Sequence, residues 1–281
     1  MATRRELILR ISSAIEPLYG AIEARQIAEM VVVECGGVGR NELLVEPNKE
    51  LEIKDIDTII EQLRAWRPVQ YVTRSAWFDD MALEVAEGVL IPRPETEELV
   101  DWVASDTEPS AHILDVGTGS GCIAIALRRR LMQSRVWAMD ISPEALAIAQ
   151  RNAQRYAPDV EFIEGDALKD FSTLIPERLD VVVSNPPYIP KSDIVSMRRN
   201  VLDYEPHGAL FVEDDDALVF YRQIARTARK MLRSGGKLYF EIYEEYATQM
   251  SQMLRDEGYS DIVVREDFRL KPRMVCAVMR L

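Results

Sequence analysis

Residues 113–127 read ILDVGTGSGCIAIAL. An apolar run carries a single acid, Asp115, and stops at Val116. Glycines follow at 117, 119 and 121, and then a stretch of helix formers begins. This is the pattern of a buried strand that turns sharply into a helix. The glycines let a ligand approach the backbone, and the helix N-terminus offers unpaired N–H groups. A dinucleotide site uses the spacing G-x-G-x-x-G. Here the spacing is G-x-G-x-G, with an acid two positions before the first glycine. That arrangement suits S-adenosylmethionine better than NAD, because no pyrophosphate needs cradling and a carboxylate near the loop serves a cationic ligand. A tight turn with no ligand is the competing reading of the glycines alone. The next apolar run, VWAMD, weighs against it. It ends in Asp140, about twenty residues on, the usual distance for an acid that binds both hydroxyls of a ribose.

Working outward, short apolar segments alternate with helical ones from about residue 93 to the end. The strand candidates are HILDV, VWAMD, VEFIEG, LDVVVS, KLYFEI, DIVVRE and MVCAVM. Ser142 and Pro143 open the helix between the second and third, as N-cap and first helical residue. The alternation predicts an α/β fold with a mostly parallel sheet covered on both faces. The last two strands have no long helix between them, so the sheet should end in a hairpin. Residues 1–70 have helical periodicity instead. Leu7, Ile8, Ile11, Ile15 and Leu18 share one face; Ile53, Ile56, Ile59, Ile60, Leu63 and Trp66 share another. This predicts a small helical domain of four or five helices. It is followed by a β-hairpin linker over residues 71–92, within a strand-like stretch from PVQYVT to LEVAEGVLIP, and a main domain over 93–281. The acidic run Glu213–Ala217 reads as a solvated loop.

The chain has 281 residues, 47% apolar and 29% charged, an ordinary globular composition. No apolar run approaches the roughly 20 residues of a membrane span. The N-terminal stretch reads as an amphipathic helix, not a signal peptide. Cys35, Cys122 and Cys276 are odd in number and widely spaced, which fits a reduced, cytoplasmic protein. A formal net charge of −13 disfavours tight binding to a phosphate backbone. The isolated His112 and His207 do not make a metal site, and no metal is expected.

Three further stretches carry chemistry. Asp166, in FIEGDAL, follows a strand and is a candidate partner for an adenine amino group; a loop or helix-capping carboxylate is the alternative. Asn185, Pro186, Pro187 and Tyr188 end the fourth strand. Two prolines fix two φ angles and remove two donors, and Asn185 is held extended by the proline after it. The corner therefore displays acceptors, namely the Asn185 side-chain oxygen and the carbonyls around Pro186. Such a corner suits a ligand that brings N–H donors. With a methyl donor next door, two acceptors holding both N–H groups of an amide would draw its nitrogen toward tetrahedral geometry and aim the lone pair at the methyl carbon.

Taken in order, DVGTGSG, MD, GDAL and SNPPYI resemble class I methyltransferases that modify planar nitrogens. VLIPRPETEELV (Val89–Val100) and YEPHGAL (Tyr204–Leu210) resemble segments of bacterial release-factor N5-glutamine methyltransferases. The resemblance covers nearly the whole chain. It implies a Rossmann-like, seven-stranded methyltransferase domain preceded by a helical substrate-docking domain. It also implies S-adenosylmethionine as cofactor and methylation of the glutamine in the Gly-Gly-Gln loop of class 1 release factors. Gly117, Thr118, Gly119, Ser120, Gly121, Asp140, Asp166, Ala167 and Asn185 would then meet the cofactor. Asn185, Pro186 and Tyr188 would be catalytic. Pro187, Arg93 and Glu95 would complete a substrate pocket with them, Glu97 helping to hold the Arg93 segment. The enzyme is expected to be a monomer without stable nucleic-acid or membrane partners. Two positions depart from the family's pattern. Some relatives carry an aromatic residue where Ala167 stands, and relatives usually have a glycine near Arg74. The competing functions are methylation of a ribosomal-protein glutamine, methylation of adenine or cytosine amino groups in nucleic acid, and a non-catalytic binding protein on the same fold. The last would show a spoiled glycine loop or corner, and neither is spoiled.

Overall fold

The structure, a computed structural model, describes residues 2–280. Two compact units divide the chain: Met1–Ser75 with Met197–Tyr204, and Ala76–Ser196 with Glu205–Leu281.

The larger unit is built on a seven-stranded sheet. In chain order its strands are β1 (His112–Val116), β2 (Arg135–Asp140), β3 (Glu161–Glu164), β4 (Leu179–Ser184), β5 (Leu232–Glu241), β6 (Tyr259–Glu266) and β7 (Pro272–Met279). They lie in the order β3-β2-β1-β4-β5-β7-β6. The first five run parallel, and β7 is antiparallel to both β5 and β6. The terminal hairpin follows from the short β6–β7 connection, which leaves no room for a crossover helix. Period-two alternation splits the buried side chains between the two faces. Ile113, Val136, Ala138, Val181 and Val183 pack with helices α1 (Pro94–Ser105) and α2 (Cys122–Arg130). Leu114, Val116, Trp137, Met139 and Val182 face helices α4 (Val219–Met231) and α5 (Ala247–Asp256). Helix α3 (Pro143–Tyr156) begins as its sequence dictates: the Ser142 hydroxyl accepts the Ala145 N–H at 3.1 Å.

The smaller unit is helical, with Arg4–Tyr19, Ala21–Gly36, Arg40–Val45, Ile56–Arg64 and Val69–Thr73 in its first 75 residues. Thr3 and Glu6 form a reciprocal capping box at the first helix. Gly37, at φ +62°, closes the second. Leu7, Ile11 and Ile15 are buried as the periodicity requires, while Leu18, in the last turn, stays 38% exposed. Met197–Tyr204 belongs to this unit. Arg198 pairs with Glu23 at 2.8 Å, and the Tyr204 hydroxyl donates to the Ala65 carbonyl at 2.8 Å.

The stretch PVQYVT corrects the sequence reading. Val69–Thr73 is a short helix, not a strand: the Tyr71 and Val72 N–H groups both donate to the Pro68 carbonyl, and burial of Val69 and Tyr71 outweighs their β propensity. The helix ends at Arg74, whose φ of +56° is left-handed. A glycine at this point would adopt that conformation freely, whereas arginine carries a cost of about 1 kcal/mol. The hairpin proper is Ser75–Phe78 with Met81–Glu84, turned by Asp79 and Asp80, both at positive φ. That is the handedness two-residue hairpin turns need.

Candidate active site

The strand order reverses between β1 and β4, whose C-terminal ends are neighbours. This is the switch point at which open α/β sheets place their ligands. Val116 and Ser184 are register partners, and the Ser184 hydroxyl donates to the Val116 carbonyl at 2.6 Å. Gly117 and Asn185, the next residue of each strand, therefore leave the sheet side by side. The glycine turn is tied to β2, since the Gly117 and Thr118 N–H groups both donate to the Met139 carbonyl. Gly117, Gly119 and Gly121 all have left-handed φ values, +75°, +54° and +83°. A Cβ on Gly117 would meet no atom within 4 Å, so the backbone there is open. A Cβ on Gly121 would come within 2.9 Å of Ile125 and 3.1 Å of Ala149, so that glycine serves close helix packing.

Asp140 bridges the strand ends. One carboxylate oxygen accepts the Gly119 N–H at 2.8 Å and the other the Ser142 N–H at 3.0 Å. Each oxygen keeps a second lone pair for a ligand hydroxyl. Asp166 lies on the loop after β3, where the Gly165 N–H donates to the Asp140 carbonyl. Its Oδ1 accepts the Leu168 N–H at 2.9 Å, and Lys169 stands 3.4 Å from its other oxygen. It therefore caps its own turn. Ala167 is partly buried and packs on the core.

Asp115 is fully buried. Oδ2 accepts the Thr118 hydroxyl at 2.6 Å. Burial is the main reason its pKa rises to about 7; the Thr118 hydroxyl and the Ala124 N–H oppose the rise and the Asp140 charge adds to it. The folded protein thus holds a proton that the unfolded chain, titrating near 4, has lost. Raising the pH through that window should destabilise the fold by an amount on the order of 4 kcal/mol attributable to Asp115. Denaturant unfolding of wild type and Asp115→Asn between pH 4 and 8 checks this. The stability of wild type relative to the variant should fall from pH 4 to about 7 and then level off. A constant difference would remove the raised pKa.

At the corner after β4, Pro186 is buried and Asn185, Pro187 and Tyr188 are partly so. Asn185 Nδ2 donates to Thr96 Oγ1 at 3.3 Å, and the Thr96 hydroxyl donates to Glu241 Oε2 at 2.6 Å. The Tyr188 hydroxyl donates to the other Glu241 oxygen at 3.1 Å. Burial, followed by the Glu241 charge, pushes the Tyr188 pKa far up, so the phenol stays protonated. Tyr243 stacks beside it, with ring centroids 6.1 Å apart. The IPRPETE segment lies close by. Arg93 pairs with the buried Glu205 at 2.7 Å, and Glu205 also accepts the Ile91 N–H at 3.3 Å. Glu95 is 3.7 Å from Arg269, and Glu97 accepts the Asp79 N–H at 3.3 Å. His112 opens β1 with its ring edge-on to Trp137, and His207 packs edge-on against Phe211.

A model described as "Methyltransferase domain" matches residues 113–204. A methyltransferase of known structure from Pyrococcus furiosus shares the fold, with a TM-score of 0.53 and 16% identity over 71% of this chain and 89% of its own. The release factor glutamine methyltransferase of Bacteroides thetaiotaomicron is 39% identical over 95% of this chain and 97% of its own length. This chain belongs to the release factor glutamine methyltransferases. Relatives of the same name from Flavobacterium psychrophilum and Streptococcus pneumoniae are 38% identical over 84% of the chain and 43% identical over 70%, covering 85% and 69% of their own lengths.

For a release factor glutamine methyltransferase of this fold the methyl donor is S-adenosylmethionine, and the residues present fit it. The backbone over Gly117 is open, and Asp140 has spare acceptor capacity. In this methyltransferase Asp140 also anchors the Gly119 N–H. Asp140→Ala should therefore weaken cofactor binding about 10–100-fold, the scale of one or two charge-assisted hydrogen bonds. An unchanged dissociation constant by calorimetry would remove Asp140 from the cofactor site.

Thr96, Glu205 and Glu241, which sequence reasoning did not single out, are the buried partners of Asn185, Arg93 and Tyr188. A signal existed for two of them. Glu205 lies within YEPHGAL, and Glu241 is an acid ending the apolar strand KLYFE at the ligand-bearing edge of the sheet. Thr96 sits within IPRPETE, but nothing local marks its hydroxyl.

Proposed function

We propose that this protein methylates the side-chain amide nitrogen of a glutamine in a peptide chain release factor, at the Gly-Gly-Gln loop. The observation that carries the reading is the Asn185 amide. Its Nδ2 is committed to Thr96, while its Oδ1 accepts from no group among the described residues. It is an acceptor held at the strand end beside the glycine turn. S-adenosylmethionine supplies an electrophilic methyl carbon on its sulfonium sulfur. Asn185 Oδ1 and the Pro186 carbonyl would accept the two N–H groups of the glutamine amide, and Tyr188 and Pro187 would wall its plane. Held so, the nitrogen lone pair would be withdrawn from the carbonyl and directed at the methyl carbon, the N–C bond forming as the donor's C–S bond breaks, and the surplus amide proton would pass to solvent water. No strong base is needed beforehand, because the gain comes from alignment and preorganised acceptors. Arg93, fixed by Glu205, and Glu95 would shape the mouth. A monomeric enzyme acting in the cytoplasm accords with this reading, and the net charge of −13 argues against a nucleic-acid substrate.

The test is transfer of labelled methyl from S-adenosylmethionine to purified release factor, with the modified residue located by mass spectrometry. Label on the Gly-Gly-Gln glutamine is the expected result. Efficient labelling of DNA, RNA or a ribosomal protein with none on release factor would overturn it.

A further inference from the structure

Glu241, at the end of β5, is 1% exposed, and both of its oxygens are engaged, one by Thr96 and one by Tyr188. Thr96 is itself buried. These two groups decide something that the corner cannot decide for itself. An asparagine amide is nearly symmetric in shape, so its oxygen and nitrogen can exchange places unless a neighbour distinguishes them. A carboxylate only accepts, and a threonine hydroxyl owns one proton. Once that proton lies on Glu241, Thr96 Oγ1 can only accept from Asn185. The one Asn185 side-chain atom able to donate is Nδ2. With Glu241 ionised, the donor chain therefore has a single direction, Asn185 to Thr96 to Glu241. Reversing the amide would set Oδ1 against Thr96 Oγ1 with no proton between them. The link spans the fold: Thr96 lies in the first turn of α1, 145 residues before Glu241 in sequence, and Asn185 follows β4.

We propose that Glu241 and Thr96 are positioning residues that fix which way round the Asn185 amide sits, leaving Oδ1 as the acceptor presented to the substrate amide, while Glu241 also anchors the Tyr188 hydroxyl. The inference rests on the reaction proposed above. Burial raises the Glu241 pKa; the Thr96 and Tyr188 hydroxyls and the Arg273 charge oppose the rise and favour the ionised form, and the Glu95 charge adds to the rise. Neither Arg273 nor Glu95 forms a hydrogen bond to it, so the direction of the chain is set by Thr96 and Tyr188.

Glu241→Gln is the sharpest variant. Glutamine keeps the shape but can donate from one arm. With its oxygen on Tyr188, its nitrogen points at Thr96 and turns the Thr96 proton toward Asn185, which favours the reversed amide. Thr96→Val removes the hydroxyl at constant volume, and Thr96→Ser keeps it. In the full-length protein with release factor as substrate, Glu241→Gln and Thr96→Val should each lower kcat about 10–100-fold, the usual loss when a supporting partner of a site group is removed. KM and the cofactor dissociation constant should change little. Thr96→Ser should stay close to wild type. Made on top of Asn185→Ala, neither variant should cost much more, because the group they orient is gone. A second readout needs no turnover. The Asn185 side-chain amide signal in a nitrogen–proton correlation spectrum, assigned by its loss in Asn185→Ala, should shift in Thr96→Val and Glu241→Gln but not in Thr96→Ser. Near-normal kcat in Glu241→Gln or Thr96→Val, full additivity with Asn185→Ala, or an amide signal that ignores both variants would overturn the proposal. A wild-type enzyme that labels no release factor would instead overturn the reaction, and the amide signal would still judge the inference. Should Thr96→Val fail to fold, Glu241→Gln carries the test.

Discussion

Asn185→Ala is expected to lose at least about 100-fold in kcat while keeping most of its affinity for S-adenosylmethionine. The reason lies in what each group touches. The glycine turn and Asp140 are tied to β2 through Met139 and to each other through Gly119, and none of these bonds passes through Asn185. Removing the asparagine side chain deletes an acceptor that acts on the substrate nitrogen, and one preorganised hydrogen-bonding group contributes a factor of roughly 100–1000 to turnover. It also leaves Thr96 Oγ1 without a donor; since Thr96 still donates to Glu241, the fold should survive. Single-turnover transfer to release factor together with calorimetry of the cofactor decides the matter. Near-normal turnover in the variant would exclude Asn185 from the chemical step.

Release factor carrying glutamate in place of the target glutamine should be essentially inert, and asparagine likewise. The corner after β4 presents acceptors, because Pro186 and Pro187 have no N–H and Asn185 turns its amide nitrogen toward Thr96, leaving Oδ1 on the other side. Glutamate brings no N–H to pair with them and adds a negative charge. An unpaired buried acceptor costs roughly 1–3 kcal/mol, and a charge costs more. A site built on such hydrogen bonds can discriminate by about 10⁴-fold. Asparagine keeps the amide but is one methylene short, so its nitrogen stops before the position that the acceptors define. Two glycines before the target let the backbone enter a narrow mouth, and bulkier residues there should slow transfer as well. Labelled-methyl transfer to the three release factor variants is the measurement. Methylation of the asparagine variant at a rate near that of glutamine would show that the pocket does not measure depth.

Much of this protein could be read locally because the physics involved is local. The glycines at 117, 119 and 121 had to be glycines for a turn with three left-handed residues, and that requirement is visible in the spacing alone. The acid ending β2, the Ser142 cap and the double proline after β4 are likewise properties of a few adjacent residues, and alternation of short apolar runs with helices was enough for a covered parallel sheet. What escaped local reading depends on residues far apart. Val69–Thr73 is helical because its side chains are buried elsewhere in the unit, although its composition favours a strand. Met197–Tyr204 joins the first 75 residues through Arg198 to Glu23 and Tyr204 to Ala65, contacts with no trace in the intervening sequence. Arg93 meets Glu205 across 112 positions. The sequence by itself determined that Asn185 would stand on a rigid corner rich in acceptors. Only the tertiary structure decided which way its amide faces, because a side-chain amide is set by the donors and acceptors that folding brings against it, here Thr96 and, behind it, the buried carboxylate of Glu241.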